Sequence, residues 1–143
     1  MPVVNFHLVE GLTTPEQDER LLLGACRLYA DVLRAPMERV RAFITPHRAS
    51  QFAVAGELVA HNGLHAPYFD FIVLDGRPLD ERQRLLAGFT DLLVDTLGVR
   101  RDLVRGSCRR IEPQDWAIGG EPASALRKDE VDARARVAAA PAP

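Results

Sequence analysis

The first residues of the chain alternate between apolar and polar side chains. Val4, Phe6 and Leu8 lie on one side of segment 3–9, and the positions between them include two polar residues. Alternation with a period of two is typical of a half-buried β-strand. The sequence therefore predicts a strand from Val3 to Val9.

A helical pattern follows this strand. Thr14 precedes Pro15, and Gln17 lies three residues after Thr14, which is typical of a capping box with proline in the first turn. Apolar residues then recur at helical spacing on one stripe: Leu22, Cys26, Tyr29 and Leu33. Pro36 ends the predicted helix, and the renewed alternation over residues 39–44 predicts a second strand.

The same order of elements recurs in the second half. Residues 69–74 predict a third strand, Asp80 is the predicted N-cap of a second helix that ends at Gly98, and residues 104–111 predict a fourth strand. The stripe of the second helix consists of Leu86, Phe89, Leu93 and Leu97.

The two halves align at an offset of 65 residues, which places Pro2 on Pro67 and Val40 on Arg105. Two β-α-β units in so short a chain predict an α+β fold. Its four strands form one sheet, with both helices on a single face. The other face would be bare and apolar, and such a face is typical of an oligomer interface.

Length and composition restrict the classes of protein. The 143 residues fit one compact domain, and 18 basic against 20 acidic residues argue against a nucleic-acid-binding module. From residue 123 the chain becomes rich in Ala, Arg and Asp. We therefore expect a domain over 2–122 and a partly disordered C-terminal tail over 123–143.

The sequence lacks other common signals. Cys26 and Cys108 fit no metal motif and are interpreted as buried thiols in a reducing compartment. His61 and His65 lie four residues apart, but the Asn-Gly pair between them breaks a helix, so no metal site is expected. Without a signal peptide or an apolar run of transmembrane length, the sequence favours a cytoplasmic protein without membrane contact.

Pro2 is the residue with the most distinctive chemistry. Removal of Met1 is favoured before a small residue, and it would leave Pro2 with a free secondary amine. Such an amine acts as a base at neutral pH only if burial or nearby cations lower its pKa. Pro67, its partner in the repeat, lies inside a peptide bond and has no such amine.

Four short motifs resemble the tautomerase superfamily of 4-oxalocrotonate tautomerase-like proteins, and more narrowly its malonate semialdehyde decarboxylase subgroup. The motifs are PVVNFHLVEG at 2–11, TPHR at 45–48, GRP at 76–78 and DWAIGG at 115–120. The resemblance covers residues 2–126. It implies a tautomerase/MIF-like fold, a homotrimer, no cofactor, and the amino-terminal proline, here Pro2, as catalytic acid or base.

The resemblance also implies substrate-binding residues. Arg77 matches the arginine that holds the substrate carboxylate, but the second arginine of the subgroup is replaced by Leu79. The subgroup's acidic residue early in the second strand falls on Arg39, with Glu38 one step away.

Four further residues are candidates for the site. Asp115 and Trp116 match a pair in the subgroup whose tryptophan forms an apolar wall of the site. Arg41 or Arg109, each on a predicted strand, could supply the cation that is missing at Leu79.

These observations lead to one main hypothesis and two alternatives. The first is a cofactor-independent tautomerase for a small 2-oxo or enol carboxylic acid, in which Pro2 carries the proton. The second is a decarboxylase or hydratase of a 3-oxo or unsaturated acid. The third is a non-catalytic trimer that binds a ligand or a partner protein.

Overall fold

The computed structural model describes residues 2–140 and contains the two predicted β-α-β units. The strands are β1 (Val3–Val9), β2 (Arg41–His47), β3 (Ala53–Val54), β4 (Glu57–Leu58), β5 (Tyr68–Leu74), β6 (Arg105–Ile111), β7 (Ala117–Ile118) and β8 (Glu121–Pro122). The helices are α1 (Pro15–Leu33), α2 (Val59–Asn62), α3 (Leu79–Leu97), α4 (Ala123–Leu126) and α5 (Lys128–Ala139).

Four of these strands form the central sheet in the order β2-β1-β5-β6. Within each unit the two strands are parallel, and the units meet through the antiparallel pair β1 and β5. The pairs β3-β4 and β7-β8 are short hairpins, each followed by a single helical turn. The predicted α+β fold is therefore confirmed.

The core lies between the sheet and the two long helices. Its fully buried aromatic side chains come from β1, β5, α1 and α3: Phe6, Phe69, Phe71, Tyr29 and Phe89. The buried stripe of α1 begins at Leu21 and Ala25, one residue before the predicted Leu22 and Cys26, which are half-buried. The predicted pair lies at the edge of a stripe that is wide enough to include neighbouring positions.

Two glycines allow the long helices to approach closely. A Cβ atom at Gly24 would lie 2.9 Å from the side chain of Leu92, and one at Gly88 would lie 2.7 Å from that of Leu28. Each glycine thus accommodates a leucine of the opposite helix, and the two contacts are related by the repeat.

The structure corrects the alignment of the two halves. The loop before α3 is one residue shorter than the loop before α1, so the offset is 65 for the first strand and 64 afterwards. Arg41 N donates to Pro2 O (2.9 Å), and Arg105 N donates to Pro67 O (3.1 Å). Arg105 is therefore the counterpart of Arg41, and the predicted pairing of Val40 with Arg105 is wrong.

The helix starts differ in their capping. The capping box of Thr14 and Gln17 is confirmed, since each side chain accepts a hydrogen bond from the other residue's backbone N–H. Helix α3 starts at Leu79 after Pro78, and no side chain caps it. The prediction of Asp80 as N-cap is wrong, because this residue already lies in the first turn.

The open face of the sheet is mixed rather than apolar, which corrects another expectation. Its side chains include Val3, Phe43 and Ile72 but also the polar residues Asn5, His7, Thr45, Asp70 and Ser107. Several of these polar groups pair across strands: Thr45 Oγ1 donates to Asn5 Oδ1 (2.8 Å), and Tyr68 and Ser107 share a hydrogen bond (2.8 Å).

Helices α4 and α5 form the C-terminal part of the described chain. Helix α5 contacts the body of the protein through Glu130, which pairs with Arg39, and through Arg134, which lies beside Gly76. A domain boundary at residue 122 and partial disorder beyond it stay predictions, and residues 141–143 lie outside the described residues. No helix within 2–140 is long and apolar enough to cross a membrane.

Candidate active site

Strand pairing brings Pro2 to the turn that follows β5. Val3 pairs with Ile72 in the antiparallel ladder, so Pro2 lies near the end of β5 and is buried. The hydroxyl of Tyr29 on α1 lies within hydrogen-bond distance of the carbonyl oxygens of both Val3 and Ile72. Helix α1 therefore holds the start of β1 against β5, beside Pro2.

Arg77 follows this turn and is firmly anchored. Gly76 adopts a φ of +102°, a left-handed conformation that an L side chain rarely adopts, and it directs the chain toward α3. The Arg77 side chain is 15% exposed, and its Nη1 donates to Leu33 O (3.0 Å) and to Glu81 Oε1 (3.3 Å). Within residues 2–140, neither Nε nor Nη2 of Arg77 has a hydrogen-bond partner.

Pro2 and Arg77 line the same small pocket. Its volume is about 20 Å³, enough for a group the size of a water molecule. The apolar lining consists of Leu33, Ala35, Val73 and Leu74, and the charged lining consists of Arg39, Arg77, Glu130 and Arg134. The structure thus brings together two of the predicted site residues, Pro2 and Arg77, with a third, Arg39.

A larger cavity of about 400 Å³ shares Arg39 with this pocket. It is lined by Val3, Glu38, Arg39, Arg41, Trp116, Ala117, Ile118, Gly119 and Arg127. Trp116 is half-buried here, whereas Asp115 is exposed in the preceding turn and lines neither cavity. Four predicted residues therefore border two neighbouring cavities together with Pro2, and Asp115 does not join them.

Arg41 lines the larger cavity and also forms hydrogen bonds with the backbone just before its strand. Its Nη1 donates to Glu38 O (2.8 Å) and Val40 O (3.3 Å), just as Arg105 Nη1 donates to Asp102 O (2.7 Å) and Val104 O (3.0 Å). The guanidinium of each arginine thus binds the single turn that precedes its strand.

The remaining residues named from the sequence line neither of these two cavities. Leu79 is 56% exposed on α3 and Arg109 is exposed on β6. His65 Nε2 accepts a hydrogen bond from Val9 N (3.3 Å), and burial lowers the pKa of this imidazole. Burial also raises the pKa of the two free cysteines, which are only half-buried. The described residues contain no group of three or more His, Cys, Asp or Glu that could hold a metal ion.

Three residues of the pockets were missed because the C-terminal segment was interpreted as a separate tail. Arg127 precedes α5, and Glu130 and Arg134 lie on it. Their spacing of three and then four residues places them on one helix face, and this pattern could have revealed them.

The two cavities have a strong positive bias. Five arginines line them, against the lining carboxylates Glu38 and Glu130 and the carboxylate of Glu81 that pairs with Arg77. Partial burial acts to raise the pKa of Glu130, but the Arg39 guanidinium beside it holds that pKa below its usual value. Burial is the main cause that lowers the pKa of Arg134, and the nearby Arg77 cation lowers it further.

Comparison with known proteins decides the family. The family model described as "Tautomerase enzyme" matches residues 2–62, the first repeat. The chain is 39% identical over 57 residues to 2-hydroxymuconate tautomerase of Pseudomonas sp. (strain CF600), covering 40% of this chain and 89% of that relative. This chain belongs to the tautomerase family. It is therefore an enzyme of the isomerase type.

Solved structures extend the similarity to both repeats of this tautomerase. A crystal structure of native fused 4-OT superimposes with a TM-score of 0.80 at 24% identity, covering 87% of this chain and 98% of that one. A fused 4-OT described as a wild type symmetric trimer matches with a TM-score of 0.78 at 25% identity and the same coverage. The macrophage migration inhibitory factor of Toxoplasma gondii has the same fold, with a TM-score of 0.70 at 18% identity, covering 84% of this chain and 98% of that one.

Proposed function

We propose that this tautomerase converts a small enol carboxylic acid into its 2-oxo form, with the free amine of Pro2 as proton carrier. The observation that carries the proposal is the difference between the two ends of the duplicated fold. At one end Pro2 is accompanied by Arg77 and Arg39. At the other end, the counterparts of these two arginines are Leu12 and Leu103.

This difference has a chemical meaning. The backbone is nearly the same at both ends, as the paired hydrogen bonds to Pro2 O and Pro67 O demonstrate. Only the end with a proline that can become an amine has guanidinium groups at these two positions. Guanidinium groups bind carboxylates, and a cationic surrounding favours the neutral, proton-accepting form of an amine.

In the proposed reaction the amine of Pro2 accepts the proton of the enol hydroxyl. The C=O bond then forms as the C=C electrons shift, and the carbon at the far end of the enolate takes the proton from the ammonium of Pro2. The amine is regenerated and no cofactor is consumed. Arg77 holds the substrate carboxylate and stabilises the negative charge of the enolate, and Trp116 closes the larger cavity against water.

The substrate class follows from the charge and size of the two cavities. An excess of arginine over glutamate suits an acid with one or two carboxylates, and about 400 Å³ suits a small molecule. The activity named for the Pseudomonas relative makes 2-hydroxymuconate the first substrate to test. Malonate semialdehyde and an unsaturated acid are the substrates that test the alternative reactions, decarboxylation and hydration.

The decisive experiment compares two forms of the protein. One form has Met1 removed, as verified by intact mass, and the other carries a two-residue extension before Pro2 that converts the amine into an amide. Ketonisation is followed through the loss of the absorbance of the conjugated enol. Since acid–base catalysis contributes about 10²- to 10⁴-fold, we expect the extended form to lose at least about 10²-fold in kcat.

A further variant and its outcomes complete this test. Pro2→Ala keeps a primary amine and should retain more activity than the extended form. Equal rates for the processed and extended forms, with both folded, would exclude Pro2 as the proton carrier.

We also propose a homotrimer in which the open faces of the sheets point inward. The support is that both long helices pack on the opposite face of the sheet, and that a similar fused 4-OT is described as a trimer. Light scattering at micromolar concentration should give three times the mass of the chain, and a stable monomer would contradict the proposal.

A further inference from the structure

We propose that Arg134, from the C-terminal helix α5, binds the substrate carboxylate together with Arg77. This proposal rests on the function proposed above for Pro2 and names a further residue of the same site. The argument depends on where α5 lies, on how Arg134 is paired, and on the space beside it.

Two contacts hold α5 against the body of the protein at the Pro2 pocket. Arg39 donates to both carboxylate oxygens of Glu130 at 3.3–3.4 Å, one helical turn before Arg134. The Cβ atom of Arg134 lies 3.8 Å from the position of a Cβ at Gly76, the residue just before Arg77. The base of the Arg134 side chain is therefore placed beside the turn that carries Arg77.

The pairing of Arg134 is incomplete for a side chain so well covered. It is 21% exposed, and the one carboxylate of residues 2–140 in ion-pair range, that of Glu130, lies 3.8 Å away and is already bound by Arg39. Within the described chain, Arg134 makes no side-chain hydrogen bond. A half-buried guanidinium without a hydrogen bond to the protein keeps its donors available for an anion.

Arg77 beside it has the same need. Within the described residues Arg77 donates hydrogen bonds through Nη1 alone, and Glu81 neutralises it from the α3 side. Two guanidinium groups that line one pocket repel each other, and a carboxylate between them would relieve the repulsion. It would also accept hydrogen bonds from both in a planar geometry.

The space admits one oxygen of a carboxylate. The pocket bordered by Pro2, Arg77 and Arg134 has a volume of about 20 Å³, enough for one small polar group. Arg39 connects it with the cavity of about 400 Å³, where the rest of a small acid can lie. Because Pro2 borders this pocket, the substrate carbon atoms next to a bound carboxylate would lie within reach of the Pro2 amine.

The test uses Trp116, the single tryptophan of the chain, as a reporter of binding that does not require turnover. Pyruvate is titrated into the processed protein while tryptophan fluorescence is recorded. We expect Arg134→Ala to weaken pyruvate binding about 10- to 100-fold, the usual effect of losing one charge-assisted hydrogen bond. Arg134→Lys keeps the charge and should lose less.

The matched control lies on the same helix. Arg136→Ala removes an exposed arginine that borders none of the cavities described above, and it should bind pyruvate within about twofold of the unmodified protein. Circular dichroism and light scattering verify that each variant is folded and assembled.

Two measurements separate a binding role from a structural one. Methyl pyruvate, which lacks the charge, should bind Arg134→Ala and the unmodified protein equally. In a double-mutant cycle with Arg77→Ala, the two losses in pyruvate affinity should be less than additive, because both arginines hold one carboxylate.

The outcomes distinguish this proposal from the proposed function. If Arg134→Ala binds pyruvate as well as Arg136→Ala does, or if the unmodified protein does not bind pyruvate, the role of Arg134 is refuted. That result would leave the test of Pro2 by the extended chain unaffected. If pyruvate binding depends on Arg134 but the processed protein has no tautomerase activity, the proposed reaction fails while the carboxylate site stands.

Discussion

Replacement of Arg41 by alanine is informative because the repeat supplies its own control, Arg105. Both arginines begin a strand, and each donates two hydrogen bonds through Nη1 to the single turn before it. Only Arg41 also lines the cavity that contains Trp116. A comparison of Arg41→Ala with Arg105→Ala therefore separates the local structural contact from the contact with the cavity.

The expected magnitudes follow from these contacts. Each variant loses one exposed and one partly buried hydrogen bond to backbone carbonyls, so each should lose about 1 kcal/mol of unfolding free energy, and the two losses should be similar. If the Arg41 guanidinium also contacts the substrate, removal of a charge-assisted contact costs about 1.5–3 kcal/mol more in the transition state. The value of kcat/KM should then fall about 10- to 100-fold for Arg41→Ala and less than about twofold for Arg105→Ala.

Two assays suffice. Urea unfolding gives the stability of each variant, and ketonisation of 2-hydroxymuconate gives kcat and KM separately. Equal activity in the two variants, at equal stability, would refute a substrate role for Arg41. A much larger stability loss in Arg41→Ala would indicate that the turn before β2 depends on this side chain more than its counterpart does.

Two further predictions concern how the fold supports the site. Tyr29→Phe removes the hydroxyl shared by Val3 O and Ile72 O, so it should cost about 1–3 kcal/mol in thermal unfolding and lower kcat by loosening the strand after Pro2. Unchanged values would show that the hydroxyl is dispensable. His65 has a folded-state pKa below 6.5 because burial disfavours its charged form, so the unfolded chain binds the extra proton more readily. The melting temperature should therefore fall as pH decreases below about 6.5, and His65→Gln should flatten that dependence; parallel curves would contradict the assignment.

The regular part of the fold was predictable because local patterns and tertiary packing agree there. Alternation predicted β1, the capping box predicted the start of α1, and apolar runs with the stop at Gly98 predicted the second unit. The start of α3 was misplaced by local chemistry: Asp80 is a good N-cap residue, but the chain already enters the helix at Leu79 after Pro78.

The point at which the offset between the two repeats changes from 65 to 64 residues could not be read from the sequence alone. A one-residue difference between two loops leaves the strand patterns intact but shifts every later counterpart. This shift matters for function, because it changes the partner of Arg41 from a glycine to Arg105. The matching backbone hydrogen bonds to Pro2 O and Pro67 O reveal it.

The candidate site was predictable where its residues belong to the sheet and its turns. Pro2, Arg77, Arg39, Arg41 and Trp116 were all singled out, and the structure places them around two adjoining cavities. The contribution of α5 was missed because composition describes what a segment is made of and not where it docks. An Ala- and Arg-rich segment with a weak apolar stripe resembles a solvated tail until the partners of Glu130 and Arg134 are known.

A single repeat must both form the sheet and carry the charged groups of the site. In the duplicated chain both ends form the sheet, and only one end carries these charged groups. The backbone around Pro2 and Pro67 is alike, so both ends contribute equally to the sheet. The second end has leucines where the first has Arg77 and Arg39, so it avoids the cost of bringing like charges together. At the first end that cost is offset by Glu81, by Glu130 and, in the proposed complex, by the substrate carboxylate. The site is thus expected to be most stable when it is occupied, and a bound carboxylic acid should raise the melting temperature of this enzyme.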